Sequence, residues 1–148
     1  MVQQLLMGSL VFILVVSART TKAELTDSCL ACMCYASSEG CHMRDPPCTN
    51  DGWGDVCGPW GITPPYWMDG GYYGGDFYSC TSDWQCSEST VRGYLARYVT
   101  DPTAQCQAYA RTHVWGPWGA HQDWTLTYWH KVEYCLENNL VTLPPKGD

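Results

Sequence analysis

Positive charge is scarce in this chain. Eight Lys and Arg stand against fifteen Asp and Glu among 148 residues, for a formal net charge of −7. The few basic residues are dispersed, so the clustered cations that grip a phosphate backbone are missing and nucleic acid is excluded as a partner. The same imbalance gives no long-range attraction to anionic surfaces. No Asn-x-Ser/Thr occurs, so no N-linked glycan is expected. Long apolar runs are absent apart from residues 5–16 (LLMGSLVFILVV), which are too few to span a bilayer. Internal repeats are lacking too, and the length suits one domain with a modest core.

What is present points outward from the cell. The apolar run is followed by Val16-Ser17-Ala18, small-residue cleavage chemistry, so residues 1–18 read as a secretory signal peptide, with cleavage as late as residue 23 also compatible. Ten cysteines follow it: Cys29, Cys32, Cys34, Cys41, Cys48, Cys57, Cys80, Cys86, Cys106 and Cys135. An even count in a secreted domain predicts five disulfides, with pairing left open. A zinc ribbon would need a second paired cluster beside Cys29, Cys32 and Cys34, so neither metal nor other cofactor is expected. The expected protein is secreted, monomeric and free of membrane contacts.

Helical periodicity dominates the rest. Asp27 or Ser28 can cap a helix over 29–38, in which Leu30, Met33 and Cys34 share a face, and Gly40 can stop it. That leaves Glu39 at the helix end, against the negative end of the dipole, which favours a protonated carboxyl. Residues 41–62 are rich in Gly, Pro and Asp and read as loops with a short β-hairpin. Thr63-Pro64-Pro65 can open a short helix, and the glycines at 70–75 a loop. Asp83 caps a helix to about Tyr98. Asp101-Pro102 opens another to about His113, and a last one covers about 125–137. The expected domain covers 27–137, with a loose tail at 138–148. The expected class is α+β, helix-dominant and disulfide-rich.

Two carboxylates sit at informative places in this frame. Glu39 lies two residues before Cys41, and Asp51 three residues after Cys48. One acid at a helix end and another in a loop, both braced by cysteines, is the arrangement that glycoside hydrolysis needs: one carboxyl donates a proton while the other stays ionised. Asp45 and Asp55 lie nearby, and composition alone does not exclude them. Eight tryptophans are many for this length. Trp53, Trp60, Trp115 and Trp118 are candidates for stacking on a sugar, whereas Trp67 and Trp129 suit helix packing.

These residues carry a family resemblance. CLACMC, the spacings Cys41–Cys48 and Cys48–Cys57, CGPWGI, PYWMDGG, VRGYLARY, CQAYARTH, GPWG and TYWHKV occur in one order. Together they resemble the invertebrate-type lysozymes, including the destabilase branch, over most of 27–137. The resemblance implies a lysozyme-like fold and hydrolysis of the β-1,4 bond between N-acetylmuramic acid and N-acetylglucosamine in bacterial peptidoglycan, for defence or digestion. It implies Glu39 as general acid and Asp51 as second carboxylate. Beside these, Trp60, Tyr66, His113 and Trp115 are the expected substrate contacts. The alternative is a non-catalytic, lysozyme-like carbohydrate-binding protein.

Departures from the pattern motivate that alternative. YASSE follows Cys34 where the family pattern has something like KVE, so two extra residues precede Glu39. Two residues are about half a helical turn, which turns Glu39 away from the cleft unless the helix end absorbs them. Gly54 and Thr63-Pro64 stand where the destabilase branch has the serine and lysine of its isopeptidase chemistry, so that activity is not expected. Val114-Trp115 replaces Asn-Gly. Four family cysteines are missing, at Gly70, Thr90, Ala120 and the 99–104 loop, a loss of whole bridges if they were paired.

Overall fold

A computed structural model describes residues 24–146; the expected signal peptide lies outside the described residues. The element order is α1 (Asp27–Ser38), β1 (Cys48–Asn50), β2 (Asp55–Cys57), α2 (Pro64–Gly70), α3 (Phe77–Thr81), α4 (Trp84–Tyr98), α5 (Cys106–Trp115), two 3-10 turns (Gly119–His121 and Asp123–Thr125) and α6 (Leu126–Asn138). The only sheet among these residues is the antiparallel β1–β2 hairpin, with Cys48 opposite Cys57 and Asn50 opposite Asp55. The fold is α+β and helix-dominant, as the periodicity predicts.

Helix α1 is the central element. Its Leu30, Ala31, Met33 and Cys34 are fully buried. Its N-cap is Thr26, one residue before Asp27 and two before Ser28, the expected caps: the Thr26 hydroxyl accepts from Cys29 N at 3.1 Å. All ten cysteines pair, as Cys29–Cys106, Cys32–Cys135, Cys34–Cys41, Cys48–Cys57 and Cys80–Cys86. The first two tie α1 to α5 and α6. Cys32 and Cys135 are 103 residues apart, so in the chain-entropy view that bridge contributes about 4–5 kcal/mol by restricting the unfolded chain.

Trp60 closes the core over α1. Its indole Nε1 donates to Leu30 O at 3.0 Å, and its ring meets Trp84 edge-on at 5.9 Å. Gly58 makes this turn possible. Its φ is +71°, and a Cβ there would lie 2.3 Å from Thr81 O. The glycine is therefore required twice over, by backbone conformation and by close approach.

Helices α2 and α4 pack at glycine. A Cβ on Gly70 would lie 2.7 Å from Thr90 O and 2.9 Å from Thr90 Cγ2. Gly70 and Thr90 are two of the four positions where family cysteines are missing, and they face each other across this contact.

The expected start of α5 is corrected, and two further details emerge. Asp101-Pro102 does not open α5, because the Asp101 carboxylate accepts from Thr103 N at 2.8 Å and makes a local turn; the helix starts at Cys106 behind Gln105. The glycine loop is followed by a short helix, α3, capped by Asp76. After α6 the chain has no regular structure, yet Val141 and Leu143 pack on the core and Lys146 lies 3.4 Å from the buried Glu88 carboxylate.

Candidate active site

One groove gathers most of the chemistry singled out above. It holds about 460 Å3 and is lined by Asp51 and Val56 from the hairpin, Thr63, Tyr66 and Asp69 around α2, Tyr94 from α4, and His113 and Trp115 from α5. A larger groove of about 650 Å3 opens between α4 and residues 99–102. Its Arg92 is already engaged by Glu88 and Asp27, so it offers less uncommitted polar chemistry.

Asp51 enters the Asp51 groove from the hairpin turn. Its Oδ1 accepts from Trp53 N at 2.9 Å and Gly54 N at 3.2 Å, which sets the carboxylate against the turn it caps and leaves Oδ2 outside those bonds. Asp55 is engaged elsewhere, accepting from Asn50 Nδ2 and the Tyr78 hydroxyl. Asp69 accepts from the Tyr98 hydroxyl at 2.8 Å and lies 3.7 Å from Arg97.

The floor is a buried polar relay. His113 Nε2 lies 3.0 Å from Trp60 O, which can only accept, so that nitrogen carries the proton and Nδ1 accepts from the Tyr66 hydroxyl at 2.8 Å. Burial drives the His113 pKa down to about 4, against a smaller opposing effect of its bond to Trp60 O. Burial also raises Tyr66 well above the ordinary tyrosine value, aided by Tyr94 and Tyr128. Tyr66 stacks on Tyr94 at 3.7 Å. At neutral pH both groups are uncharged. His113 and Tyr66 reach the groove, and Trp115 lines it with 61% of its surface exposed. Trp60 does not: at 1% exposure it is a core residue and cannot stack on a ligand.

Glu39 lies elsewhere. Helix α1 runs regularly to Ser38, and Glu39 is its C-cap in the left-handed conformation, φ 53° and ψ 48°. The residues between Cys34 and Glu39 are therefore all helical, with no bulge before the helix ends. Glu39 lines a separate groove of about 450 Å3 between α1 and α6, with Tyr35, Ala36, His130, Lys131 and Tyr134. Counting three residues from Cys34, as the family pattern does for its acid, gives Ser37. The Ser37 hydroxyl is 2.9 Å from the Tyr128 hydroxyl, and Tyr128 leans towards His113. Arg44 braces the same helix end, donating to Ser37 O at 2.7 Å and Gly58 O at 2.8 Å. Ser37, still in the helix, faces the relay, whereas Glu39, beyond it in the left-handed conformation, lines the α1–α6 groove.

The fold agrees with what known proteins show. The destabilase family model matches residues 26–135. A lysozyme of Magallana gigas is 37% identical over 131 residues, covering 87% of this chain and 93% of its own length. An invertebrate-type lysozyme of Ruditapes philippinarum is 38% identical over 111 residues, covering 74% and 80%. The crystal structure of Tapes japonica lysozyme superposes with a TM-score of 0.66 at 38% identity, over 73% of this chain and 88% of that one. An inhibitor-bound lysozyme from Meretrix lusoria superposes with a TM-score of 0.65 at 30% identity, over 74% and 88%. This chain belongs to the destabilase family, the invertebrate-type lysozymes, and with them to the glycoside hydrolases. Among the described residues no helix is long and apolar enough to cross a membrane.

Proposed function

We propose that this chain is a secreted, monomeric lysozyme that takes a peptidoglycan glycan strand in the Asp51 groove and hydrolyses its β-1,4 bond slowly. The observation that carries this reading is the groove itself: a carboxylate on a rigid turn, uncharged hydrogen-bonding groups in the floor and an exposed tryptophan at the edge. Asp51 stabilises positive charge developing at the anomeric carbon. Tyr66 and His113 shape the floor and hydrogen-bond the sugar without adding charge. A lysozyme also needs an acid on the opposite wall to protonate the leaving oxygen. The resemblance assigns that role to Glu39, but Glu39 lines the other groove and Ser37 has no proton to give at neutral pH. Protonation then falls to solvent, and Asp51 supplies the remaining catalysis.

The placement of Glu39 in the other groove favours a second reading, in which rate is lost altogether and the chain binds peptidoglycan without cleaving it. Incubation with purified peptidoglycan separates the two. Slow release of reducing ends supports the first reading; co-sedimentation with no release supports the second.

A further inference from the structure

The edge of the Asp51 groove does not end at Trp115. Trp115 meets Trp124 edge-on, with ring centroids 4.3 Å apart and planes at 90°, and both stay half exposed or more. Trp118, 76% exposed, stands on the turn between them. Tryptophans this open are an expense in solubility that a core role does not explain.

The strap that presents them, residues 116–125, is firmly held. Arg111 Nε donates to Thr125 Oγ1 at 2.8 Å and its Nη2 donates to Gln122 O at 2.9 Å. The buried Thr125 hydroxyl lies 2.8 Å from Gly119 O. Gly119 is pressed so closely on α5 that a Cβ would lie 2.2 Å from Arg111 O. Trp124 therefore sits on a braced element, and through it Trp115 is held before any ligand arrives, which reduces the ordering cost of binding. The strap carries no Lys or Arg, and Arg111 is already engaged, so an anionic ligand finds no free cation there.

We infer that Trp115, held by Trp124, forms a stacking subsite that extends the Asp51 groove and takes one further amino-sugar ring of the glycan strand. This rests on the reading that the groove binds glycan, and adds a ring position and a positioning residue, Trp124, to it. The apolar face of a β-linked pyranose packs on an aromatic face, and the ring continues a strand already lying along Asp51. Trp115 stands where the family pattern described above has glycine, so the subsite is one this chain's own sequence adds.

Calorimetric titration with N-acetylglucosamine oligomers of two to six rings tests it, with thermal unfolding of each variant as a folding check. Affinity should rise with length in the parent. Trp115→Ala should lose about tenfold or more for the longest oligomer, the size expected of one anchoring aromatic, and little for the shortest. Trp124→Ala should show part of that loss, Trp124→Phe should recover it, and Tyr134→Ala in the α1–α6 groove should change nothing. If the parent gains nothing from added rings, or Trp115→Ala binds the longest oligomer as tightly as the parent, the subsite is refuted while the groove stands. If the parent binds no oligomer of any length, the groove reading falls and the subsite with it.

Discussion

The Tyr66 hydroxyl and His113 Nδ1 lie 2.8 Å apart in the floor of the groove, a bond that requires His113 to be neutral with its proton on Nε2. Because burial lowers the folded-state pKa to about 4 from an unfolded value of 6.5, the unfolded chain binds the proton first as pH falls. Stability from this residue is present above pH 6.5 and is lost progressively on acidification towards pH 4, by an amount on the order of 3 kcal/mol. Thermal unfolding between pH 7 and 4 should show this slope, and His113→Gln should flatten it. An unchanged slope in that variant would assign the pH dependence to the carboxylates.

The Gly70–Thr90 contact predicts a steric effect far from the groove. Gly70→Ala places a methyl 2.7 Å from Thr90 O, and over-packing of this kind costs about 1–3 kcal/mol. The melting temperature should fall by several degrees, about 2–4 °C per kcal/mol at this size. No change would mean that α2 and α4 separate easily.

The helix register predicts opposite outcomes at two neighbouring positions. Glu39→Gln should change hydrolysis little, because Glu39 lines the α1–α6 groove. Ser37→Glu places an acid on the side facing Tyr128 and His113, and general acid catalysis typically contributes about 100- to 10,000-fold, so the rate should rise by about 100-fold or more. A severe loss in Glu39→Gln with no gain in Ser37→Glu would restore Glu39 as the donor. Initial rates on purified peptidoglycan decide it.

Much of this architecture is legible in the sequence. Cysteine parity foretold five bridges, and apolar spacing located α1, α4 and α6, because both are local or countable properties. A short hairpin within 41–62 followed from the Gly, Pro and Asp there, but its bounds, Cys48 to Cys57, did not. What was not legible needed three dimensions. Trp60 reads as a sugar contact beside Gly58 and Pro59, but the turn folds inward and its indole finds Leu30 O. Asp101-Pro102 reads as a helix start, but a carboxylate can equally satisfy Thr103 N in a turn. Trp124 carried no signal, since its role depends on a strap folding back onto α5. The side chosen by Glu39 depended on whether two extra residues lengthen α1 or bulge at its end, and spacing alone allows both.

Charge predicts the response to salt. An acidic protein with a net charge of −7 is repelled by an anionic wall at long range, and 0.1 M salt screens that beyond about 10 Å. Turbidity clearing of whole cells should hold or rise from low to moderate ionic strength. A steep fall would reveal local attraction from a basic patch.

The central claim is that the groove carrying Asp51 is where the glycan is bound and cleaved, and Asp51→Asn tests it most directly. The amide oxygen can still accept from Trp53 N and Gly54 N, so the hairpin turn survives while the charge facing the sugar is removed. The measurement is reducing-end release from purified peptidoglycan by parent and variant, with co-sedimentation read on the same samples. The account predicts slow release by the parent, a loss of about 100-fold or more in Asp51→Asn, the scale on which removing one element of transition-state charge stabilisation is felt, and retained sedimentation by both. Equal release by parent and variant, or no release by a parent that still sediments, would contradict it.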